Sequence, residues 1–581
     1  MLNRTRRLAT RLRRRATLHL GGSSFLMLLA LFVGLGGGLG AWGFRELIGL
    51  FHHLFLEEGM AFLGSPWLLP LIPAAGGLLV GGIVLTWARE ARGHGVPEVM
   101  AAVATENGRI RPRVVVIKAL ASALCIGSGG SVGREGPIVQ IGSALGSALA
   151  QLFRVSAQHM KILVGCGAAA GISATFNAPI AGAIFALEVI LGDFRLRSFS
   201  PIVVSSVLAT AFIRFVEGGD YKAFNIPEYT MASPVELVFY LVLGGAAALA
   251  AVSFTRLVYF SEDLFEKLPV NEYAKPVLGG LGVGVIALWY SQVFGVGYET
   301  ITAIIKGHTE VTLIVILFAA KFVATCLTLG SGGSGGIFAP SLFLGATVGG
   351  AFGFLVKALF PAVTAHPGAY ALVGMAAVVA GTTHAPLSAM LILFELTDDY
   401  KIILPLMLAT TVSTLLCRGL FSDSIYTRKL SRRGLKINLG IDESVLSQIK
   451  AKEVYSPEYP SIAANTHLGE IVDLLQESEF TDFPVLDGQG GYLGSVSFED
   501  IRRFLTDRNL YRLLTASDVM CTETATGHGE MSLMEVLQIM ADSGLKHLPI
   551  LAGDGSRRLL GVITRGSLMR RYDRELRKRL S

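Results

Sequence analysis

The sequence predicts an all-α membrane domain that crosses the bilayer several times, followed by a small α/β tail in the cytoplasm. Three observations support this fold class. Hydrophobic residues make up 52% of the 581 residues and charged residues only 16%, glycine is abundant within apolar segments, and both parts of the chain contain an internal repeat. An average soluble domain has about 25% charged residues, so the deficit of charge by itself indicates a membrane protein.

Long apolar runs occupy the chain from residue 20 to about residue 430. Two examples are residues 24–42 and residues 311–329, the second interrupted only by Lys321. Such runs reach the roughly 20 residues that a helix needs to span the hydrocarbon core. Charge returns after about Leu430. We therefore predict a membrane domain over residues 21–435 and a soluble tail after it.

Much of the glycine, 68 residues in all, lies inside the apolar segments. Small residues allow helix backbones to approach closely in a membrane. Glycine also interrupts helices, and an interrupted helix at membrane depth is tolerated only where it lines a cavity or is buried in protein. This composition favours a channel or transporter over a simple membrane anchor.

The first twenty residues form a basic arm with seven arginines and no acid. A signal peptide is one interpretation, but the apolar run that follows is too long for one. A cytoplasmic amino terminus that obeys the positive-inside rule fits better. Further cations, Arg428, Lys429, Arg432 and Arg433, follow the last span. The net charge of +6 therefore requires no nucleic-acid partner.

The five cysteines show no pairing pattern and no CxxC motif. Four of them lie in apolar segments, where a cysteine is most simply a small packing residue. We expect no metal site, no required cofactor and no enzymatic activity.

Two halves of the membrane domain share one plan. The first match has an offset of 203 and contains Lys118, the Gly-Ser-Gly-Gly-Ser loop and Pro137. The second has an offset of 207 and extends from Asn-Ala-Pro to Glu188. The third has an offset of 202 and pairs a Gly-His-Gly triplet with Gly-Val-Gly. The halves extend over about residues 21–215 and 233–435. Duplicated halves with Gly/Pro-interrupted apolar segments are typical of transporters, in which such repeats are often inverted. The matched pairs of segments are 118–137 with 321–340, 177–188 with 384–395, and 93–95 with 295–297.

The two Gly-rich loops, residues 127–131 and 330–334, are not phosphate-binding loops, because neither ends in the Gly-Lys-Ser/Thr of a Walker A motif. Close helix packing accounts for some of their glycines. The shared order of loop, small residues and proline instead favours re-entrant loops that lead into helix starts. Several helix amino termini that converge can hold a small anion through unpaired N–H groups. A fixed cation at the same place could bind the ion too tightly for conduction.

At these residues the chain resembles the CLC family of chloride channels and chloride/proton exchangers, over about residues 70–430. Residues 133–137 read GREGP and residues 336–340 read GIFAP, as in the family, while residues 93–97 occupy the place of its GSGIP segment. The resemblance implies a homodimer with one chloride pathway in each subunit, and the family plan has an inverted repeat. The lack of an evident cleavable leader and the short loops predict a plasma or inner membrane location, and the basic start and the soluble tail predict that both termini are cytoplasmic.

The resemblance implies that Glu135 is the gate. In the family this carboxylate is a tethered anion that competes for the site of the permeating ion, and protonation lets it swing aside, so opening is expected to depend on pH and voltage. An ionisable residue inside a membrane is a functional candidate by default. The alternative is a structural ion pair with the adjacent Arg134.

Three further ligands of the anion follow from the resemblance. The backbone N–H groups of Ile337 and Phe338 are expected to coordinate the ion, and the Tyr426 hydroxyl is expected to donate to it from the cytoplasmic side. The alternative for Tyr426 is an interfacial anchor, a common role of tyrosine near a membrane end.

Two positions depart from the family pattern. His94 stands where most members have Ser or Pro. It could donate to the anion, but it is bulkier and titrates near pH 6.5 when unperturbed, which puts the preference for chloride in doubt; the alternative is a histidine packed away from the ion. Val189 stands where exchangers commonly carry an inner proton glutamate. We therefore favour a passive channel over a coupled chloride/proton antiporter. Glu188 is expected to be structural, because its copy Glu395 recurs.

The tail contains a second repeat, with an offset of 65 between residues 468–472 and 533–537. It resembles a tandem pair of CBS domains, the cystathionine-β-synthase module, over residues 450–507 and 515–575. Such pairs often bind ATP, ADP or AMP through a Ser or Thr followed three residues later by Asp. The first copy retains this pattern as Ser497 and Asp500, whereas the second has Thr564 but Ser567.

One competent nucleotide site, or none, is therefore expected in the tail. The alternative is a dimerisation module without a ligand. A membrane-bound nucleotide sensor without transport is a remote alternative for the whole chain, since it does not explain the duplicated membrane domain.

Overall fold

The chain divides into two compact units, residues 1–439 and 440–581, in a computed structural model. The structure describes residues 2–218, 231–435, 443–478, 480–502, 504, 508–522 and 524–580. The basic arm predicted over residues 1–20 belongs to a helix that begins at Leu2, while its side chains lie outside the described part.

The first unit is helical throughout its described length. Its first half contains the helices α1 Leu2–His52, α2 Gly59–Leu63, α3 Leu71–Trp87, α4 Val96–Thr105, α5 Val114–Gly127, α6 Glu135–Leu152, α7 Ala157–Phe176, α8 Pro179–Phe185 and α9 Leu196–Glu217. Its second half contains α10 Glu236–Lys267, α11 Ala274–Ala287, α12 Tyr298–Ile305, α13 Val311–Gly330, α14 Phe338–Leu359, α15 Pro367–Thr383, α16 Pro386–Thr397, α17 Ile403–Leu420 and α18 Ile425–Arg432. Single π-helical turns occupy His53–Glu58 and Ala186–Leu191.

Eight helical stretches in the described part are long and apolar enough to cross a membrane. They alternate with shorter apolar helices of 10–17 residues, among them α4, α5 and α16. This mixture of full spans and short helices confirms the predicted class of a multi-pass, all-helical membrane domain with broken helices.

Both halves contain the same kind of break, at which one helix stops and the next begins. Helix α7 ends at Asn177 and helix α15 ends at His384, and both residues adopt a left-handed conformation, with φ of 57° and 58°. An Ala-Pro pair follows in both halves, and the proline is the first residue of the next helix. A left-handed residue stops a helix and proline favours a helix start, so the local sequence dictates the break.

The second unit contains two three-stranded sheets of the same topology. In the first, β1 Ile462–Ala463 pairs in parallel with β2 Asp482–Leu486, which pairs antiparallel with β3 Tyr492–Ser497. In the second, β4 Gly527–His528, β5 His547–Leu551 and β6 Leu559–Thr564 repeat this order. The helices are α19 Glu443–Gln448, α20 Leu468–Glu477, α21 Phe498–Ile501, α22 Ala516–Val519, α23 Leu533–Asp542 and α24 Arg565–Leu580. Each copy has its own apolar core, which confirms the predicted α/β pair.

Candidate anion site

The two Gly-rich loops meet across the repeat. The N–H of Gly133 donates to the carbonyl of Gly336 at 2.7 Å, and the N–H of Gly336 donates to the carbonyl of Gly133 at 2.6 Å. These residues are equivalent positions of the two halves, and they form an isolated antiparallel bridge. An exchange of both bonds between equivalent residues is what a local two-fold relation between the halves produces. It brings the starts of α6 and α14 together.

Glycine is required where these helix starts touch. A methyl group on Gly136 would lie 2.2 Å from the carbonyl oxygen of His94 and 2.9 Å from the Cα of Gly336. Neither contact can be relieved by a rotation, because both partners are backbone atoms. The loop that carries His94 is therefore fixed against the first turn of α6.

Two buried lysines hold the loops from equivalent positions. Lys118 donates to the carbonyls of Ala91 and Gly93 at 2.9 and 2.7 Å, and to the Ser334 hydroxyl at 3.1 Å. Lys321 donates to the corresponding carbonyls in the second half, Val293 at 3.0 Å and Gly295 at 2.7 Å. Both side chains are fully buried. The ammonium groups are thus bonded to the loop backbone, whose shape they fix.

The Glu135 carboxylate lies at the first residue of α6 and is 1% exposed. Its Oε1 accepts a hydrogen bond of 2.5 Å from the Tyr298 hydroxyl, and its Oε2 has no hydrogen-bond partner among the described residues. The Arg134 guanidinium lies 5.3 Å above the centre of the Tyr298 ring. One oxygen of this buried acid is therefore anchored and the other is available.

The start of α14 presents unbonded backbone donors next to this acid. Within the described residues, the N–H groups of Ile337 and Phe338 find no acceptor. Pro340 is the third residue of α14 and Pro137 is the third of α6, so the third residue of each first turn carries no N–H. The Phe338 ring packs against Phe176 at a centroid distance of 5.6 Å. Aromatic packing thus holds the start of α14, where these two donors remain unbonded.

Helix α18 places Tyr426 beside the same site. Ser424 caps this helix by accepting from the Thr427 N–H at 3.1 Å, and the Tyr259 hydroxyl donates to the carbonyl of Ile425 at 2.5 Å. Tyr426 is 1% exposed, and it lies within electrostatic range of Glu135. Its hydroxyl bonds to no residue in the described part of the chain. An interfacial anchor would be exposed, so the burial favours the site interpretation.

His94 is fully buried just before α4, and neither nitrogen of its ring has a hydrogen-bond partner among the described residues. The ring packs edge-on against Tyr259, with 6.2 Å between centroids. Because Tyr259 also holds the backbone next to Tyr426, the histidine is linked to the part of the site that Tyr426 forms. Most buried polar atoms have a partner, so two unpartnered nitrogens require an explanation.

Glu188 caps the start of α16, and Glu395, which lies on α16, caps the start of α8. Glu188 accepts from the N–H groups of Leu387 and Ser388 at 3.2 and 2.7 Å. Glu395 accepts from Ile180 and Ala181, the equivalent positions of the other half, at 3.0 and 2.6 Å. A carboxylate at a helix amino terminus is stabilising. The geometry thus gives both acids a structural role.

Tyr298 was missed in the sequence, where no motif singles it out. It is the first residue of α12 and directly follows Gly297. Residues 295–297 are the repeat partner of residues 93–95. That alignment could have indicated Tyr298. In the first half, the triplet that contains His94 approaches the helix starts, so the residue next to the matched triplet of the second half is expected to approach them too.

The tail contains a cavity of about 240 Å³ lined by residues of both sheets. Ser497 and Asp500 line it from the first copy and His547 from the second, whereas Thr564 is not part of its lining. The Asp500 carboxylate accepts from the Ser497 N–H and hydroxyl at 2.8 and 2.6 Å through Oδ2. The remaining oxygen, Oδ1, has no hydrogen bond within the described residues.

Aromatic and ionic groups also line the tail cavity. Asp482 Oδ2 lies 2.7 Å from His547 Nδ1, and the Tyr459 hydroxyl donates to the carbonyl of Asp482 at 3.0 Å. Burial, followed by the nearby Asp482 carboxylate, raises the pKa of Tyr459 above its ordinary value. Tyr459 therefore remains a neutral donor over the physiological pH range.

Comparison with known proteins identifies the membrane domain. Residues 76–418 match the protein family described as "Voltage gated chloride channel", which is more than half of the chain. The chain belongs to the CLC family. Residues 451–507 and 516–574 each match the CBS domain, so the CLC domain is followed by a tandem CBS pair.

Individual CLC proteins are similar over most of their length. "Putative chloride channel protein ClcB-like" of Ralstonia nicotianae is 34% identical over 417 residues, which are 70% of this chain and 97% of the relative. "H(+)/Cl(-) exchange transporter ClcA" of Vibrio vulnificus is 34% identical over 392 residues, 65% of this chain and 82% of the relative. The solved structure of a slow cyanobacterial Cl⁻/H⁺ antiporter aligns with a TM-score of 0.65 at 26% identity, covering 70% of this chain and 97% of that one.

These findings confirm the resemblance to the CLC family. The chain is a multi-pass membrane protein of this family, and its activity is the transport of chloride. The relatives include a channel and exchangers by name, so the mechanism has to be argued from the residues of this chain.

Proposed function

We propose that this CLC protein conducts chloride passively through a site between the starts of α6, α14 and α18, with the Glu135 side chain as its gate. The observation that carries the proposal is a convergence of unpartnered groups. Within the described residues, the N–H groups of Ile337 and Phe338, the Tyr426 hydroxyl and one oxygen of Glu135 have no hydrogen-bond partner. Three donors without a partner, next to one acid oxygen without a partner, fit an anion site beside a tethered carboxylate.

The donors suit a conducting site because they carry only partial charges. Backbone N–H groups at helix starts and a neutral hydroxyl stabilise an anion, whereas the permanent charge of a bare ammonium would hold it too tightly to pass. The two lysines closest to the loops donate instead to backbone carbonyls. A dehydrated chloride can therefore bind and leave.

The gate acts through charge. The ionised Glu135 side chain repels an incoming chloride and, as a tethered anion, competes with it. A proton removes that charge, and the neutral acid no longer competes. Acid on the accessible side is expected to increase the chloride flux, and the position of the charge within the membrane field makes the gate voltage-dependent.

Passive conduction is favoured by Val189. This side chain is buried, 3% exposed, and cannot carry a proton. Glu188, the adjacent acid, is occupied by the start of α16, since it accepts from Leu387, the Ser388 N–H and the Ser388 hydroxyl. Exchangers commonly carry an inner glutamate at the position of Val189, and here neither Val189 nor the occupied Glu188 offers a free proton acceptor.

CLC family membership supports a proposal for assembly and orientation. We propose a homodimer with a separate pathway in each subunit, both termini in the cytoplasm, and a plasma or inner membrane location. Several side chains of α9 and α17 support a lipid or subunit contact, because they are large, apolar and exposed: Leu196, Phe215, Leu404 and Leu415.

For the tail, we propose that one adenine nucleotide binds in the cavity between the two CBS copies. Asp500 Oδ1 is free to accept from ribose hydroxyls, while its other oxygen is fixed by Ser497. Thr564 lies outside the cavity lining, so the second copy offers no equivalent site. The volume of about 240 Å³ is somewhat below that of typical small-molecule pockets, roughly 300–1,000 Å³.

Chloride flux from proteoliposomes tests the proposed mechanism. With equal chloride on both sides and an imposed proton gradient, a passive channel moves no net chloride. Uphill chloride movement would show coupling and overturn the channel assignment. In the same vesicles, Glu135→Gln is expected to give a large flux that no longer depends on pH; an unchanged pH dependence would overturn the role of Glu135 as the gate.

A further inference from the structure

The His94 ring is a buried polar group for which the protein itself supplies no partner. Both nitrogens are without a hydrogen bond among the described residues, and the side chain is fully buried. The carbonyl of His94 contacts the start of α6, where a methyl on Gly136 would lie 2.2 Å away. The residue is thus attached to the gate helix while its ring remains available to a ligand.

Cations surround this ring. Lys118, Lys429 and Arg433 all lie within electrostatic range of His94, and a methyl on Gly93 would lie 2.8 Å from the Lys429 ammonium. Lys429 and Arg433 pair with Glu98, at 3.7 and 2.8 Å. Burial first, and then these cations, oppose protonation of the ring when no anion is present. An anion at the site has the opposite sign and offsets the part of that opposition that comes from the cations.

Protonation changes what the ring can donate. A neutral imidazole has one N–H donor and one acceptor nitrogen, whereas an imidazolium has two N–H donors and a full charge. An anion accepts hydrogen bonds and cannot donate one, so it binds better to the protonated ring. Binding of the anion and binding of the proton therefore favour each other, and the coupling is reciprocal.

We propose that His94 makes anion binding at this site proton-linked: the ring takes up a proton from water when an anion binds and releases it when the anion leaves. This rests on the proposed anion site and adds a second proton-sensitive group to it. The titratable and charged groups around the ring are Lys118 on α5, Tyr259 on α10, Lys429 on α18 and Arg433 just after it. Glu98 on α4 pairs with Lys429 and Arg433, and the His94 carbonyl contacts Gly136, the neighbour of Glu135 on α6.

His94 and Glu135 differ in mechanism. Protonation of Glu135 removes a competitor of the anion, whereas protonation of His94 adds a donor to it. Both make binding stronger in acid, so Glu135 has to be made non-titrating before the contribution of His94 can be measured. The amide in Glu135→Gln does this.

The test is calorimetric titration of the full chain in detergent with chloride, at about pH 5.5 and about pH 7.5, on either side of the range in which an ordinary histidine titrates. In the Glu135→Gln protein we expect chloride to bind about tenfold more tightly at the lower pH, a typical size for coupled sites. Titrations in buffers of different ionisation enthalpy are expected to show proton uptake on binding at the higher pH.

The matched variants are Glu135→Gln with His94→Asn, which retains an N–H donor that does not titrate, and Glu135→Gln with His308→Asn, which removes an exposed histidine. The first is expected to bind chloride with the same affinity at both pH values, and the second to behave as Glu135→Gln alone. Proton uptake by Glu135→Gln itself needs no His94 variant, so poor folding of the double variant does not remove the test.

Three results would overturn the inference. Chloride binding by Glu135→Gln that is independent of pH, or a pH dependence that survives His94→Asn, would overturn the role of His94 while the proposed chloride site remains. Absence of chloride binding in every variant and at both pH values would overturn the proposed site as well.

Discussion

The Tyr298 hydroxyl donates to Glu135 Oε1 at 2.5 Å, and this bond joins a helix start of the second half to the gate helix of the first. A hydrogen bond to a charged group contributes about 1.5–3 kcal/mol. The bond therefore favours the position in which the carboxylate lies in this structure.

We expect Tyr298→Phe to release the gate. Loss of a bond of this size corresponds to about a tenfold or larger shift toward the open position, so chloride flux at neutral pH is expected to rise by about that factor. Flux from proteoliposomes measures it. Tyr290→Phe is the control, because it removes a hydroxyl just before α12 that makes no hydrogen bond within the described part of the chain. Equal fluxes for the two variants would contradict the role given to Tyr298.

Gly136→Ala is expected to disrupt the junction of the two halves. The added methyl would lie 2.2 Å from the His94 carbonyl oxygen, and overpacking of this kind costs about 1–3 kcal/mol or more. A lower melting temperature in detergent and a loss of chloride flux are expected together. Gly82→Ala in α3 is the control, since a methyl there meets nothing within 4 Å; a comparable loss in both variants would argue against the close approach.

Glu188→Gln and Glu395→Gln are expected to destabilise the protein by similar amounts, because the two acids cap equivalent helix starts. An amide replaces one acceptor oxygen with a donor that faces N–H groups, at a cost of about 1–3 kcal/mol. Melting temperature measures this, with Glu310→Gln, an exposed acid, as the control. A variant at Glu188 that keeps full stability but alters proton movement would instead identify it as a proton carrier.

Asp500→Asn is expected to abolish the stabilisation of the protein by ATP. Thermal unfolding with and without millimolar ATP measures this, and bound ligand raises the transition by mass action. Asp518→Asn is a matched control, because Asp518 makes the same capping contacts, with Thr515 at 2.8 Å, and does not line the cavity. If the unsubstituted protein shows no shift with ATP, the tail is a CBS pair without this ligand.

Sequence reasoning predicted the features that recur in both halves. The match of Gly133 with Gly336 predicted two equivalent loops, and the structure joins these loops by backbone hydrogen bonds. The match of Asn177 with His384 predicted two equivalent helix breaks, and both residues are left-handed in the structure. These features depend on the local positions and spacing of glycine and proline, which can be read directly from a sequence.

The remaining parts of the site depend on contacts between distant residues. Tyr298 reaches Glu135 across 163 positions, and Lys118 reaches Ser334 across 216. Hydropathy and motif spacing do not reveal such contacts between distant residues. Nor do they show which buried atoms remain without a partner, as at His94 and Ile337, since that follows only when all competing donors and acceptors are placed.

Anomalous diffraction from crystals soaked in bromide tests the central claim most directly. We expect a bromide peak within hydrogen-bond distance of the Ile337 and Phe338 N–H groups and the Tyr426 hydroxyl, and in Glu135→Gln crystals an additional peak where the carboxylate lies in the unsubstituted protein. Bromide bound elsewhere, or an unchanged pattern of peaks in Glu135→Gln, would contradict the account.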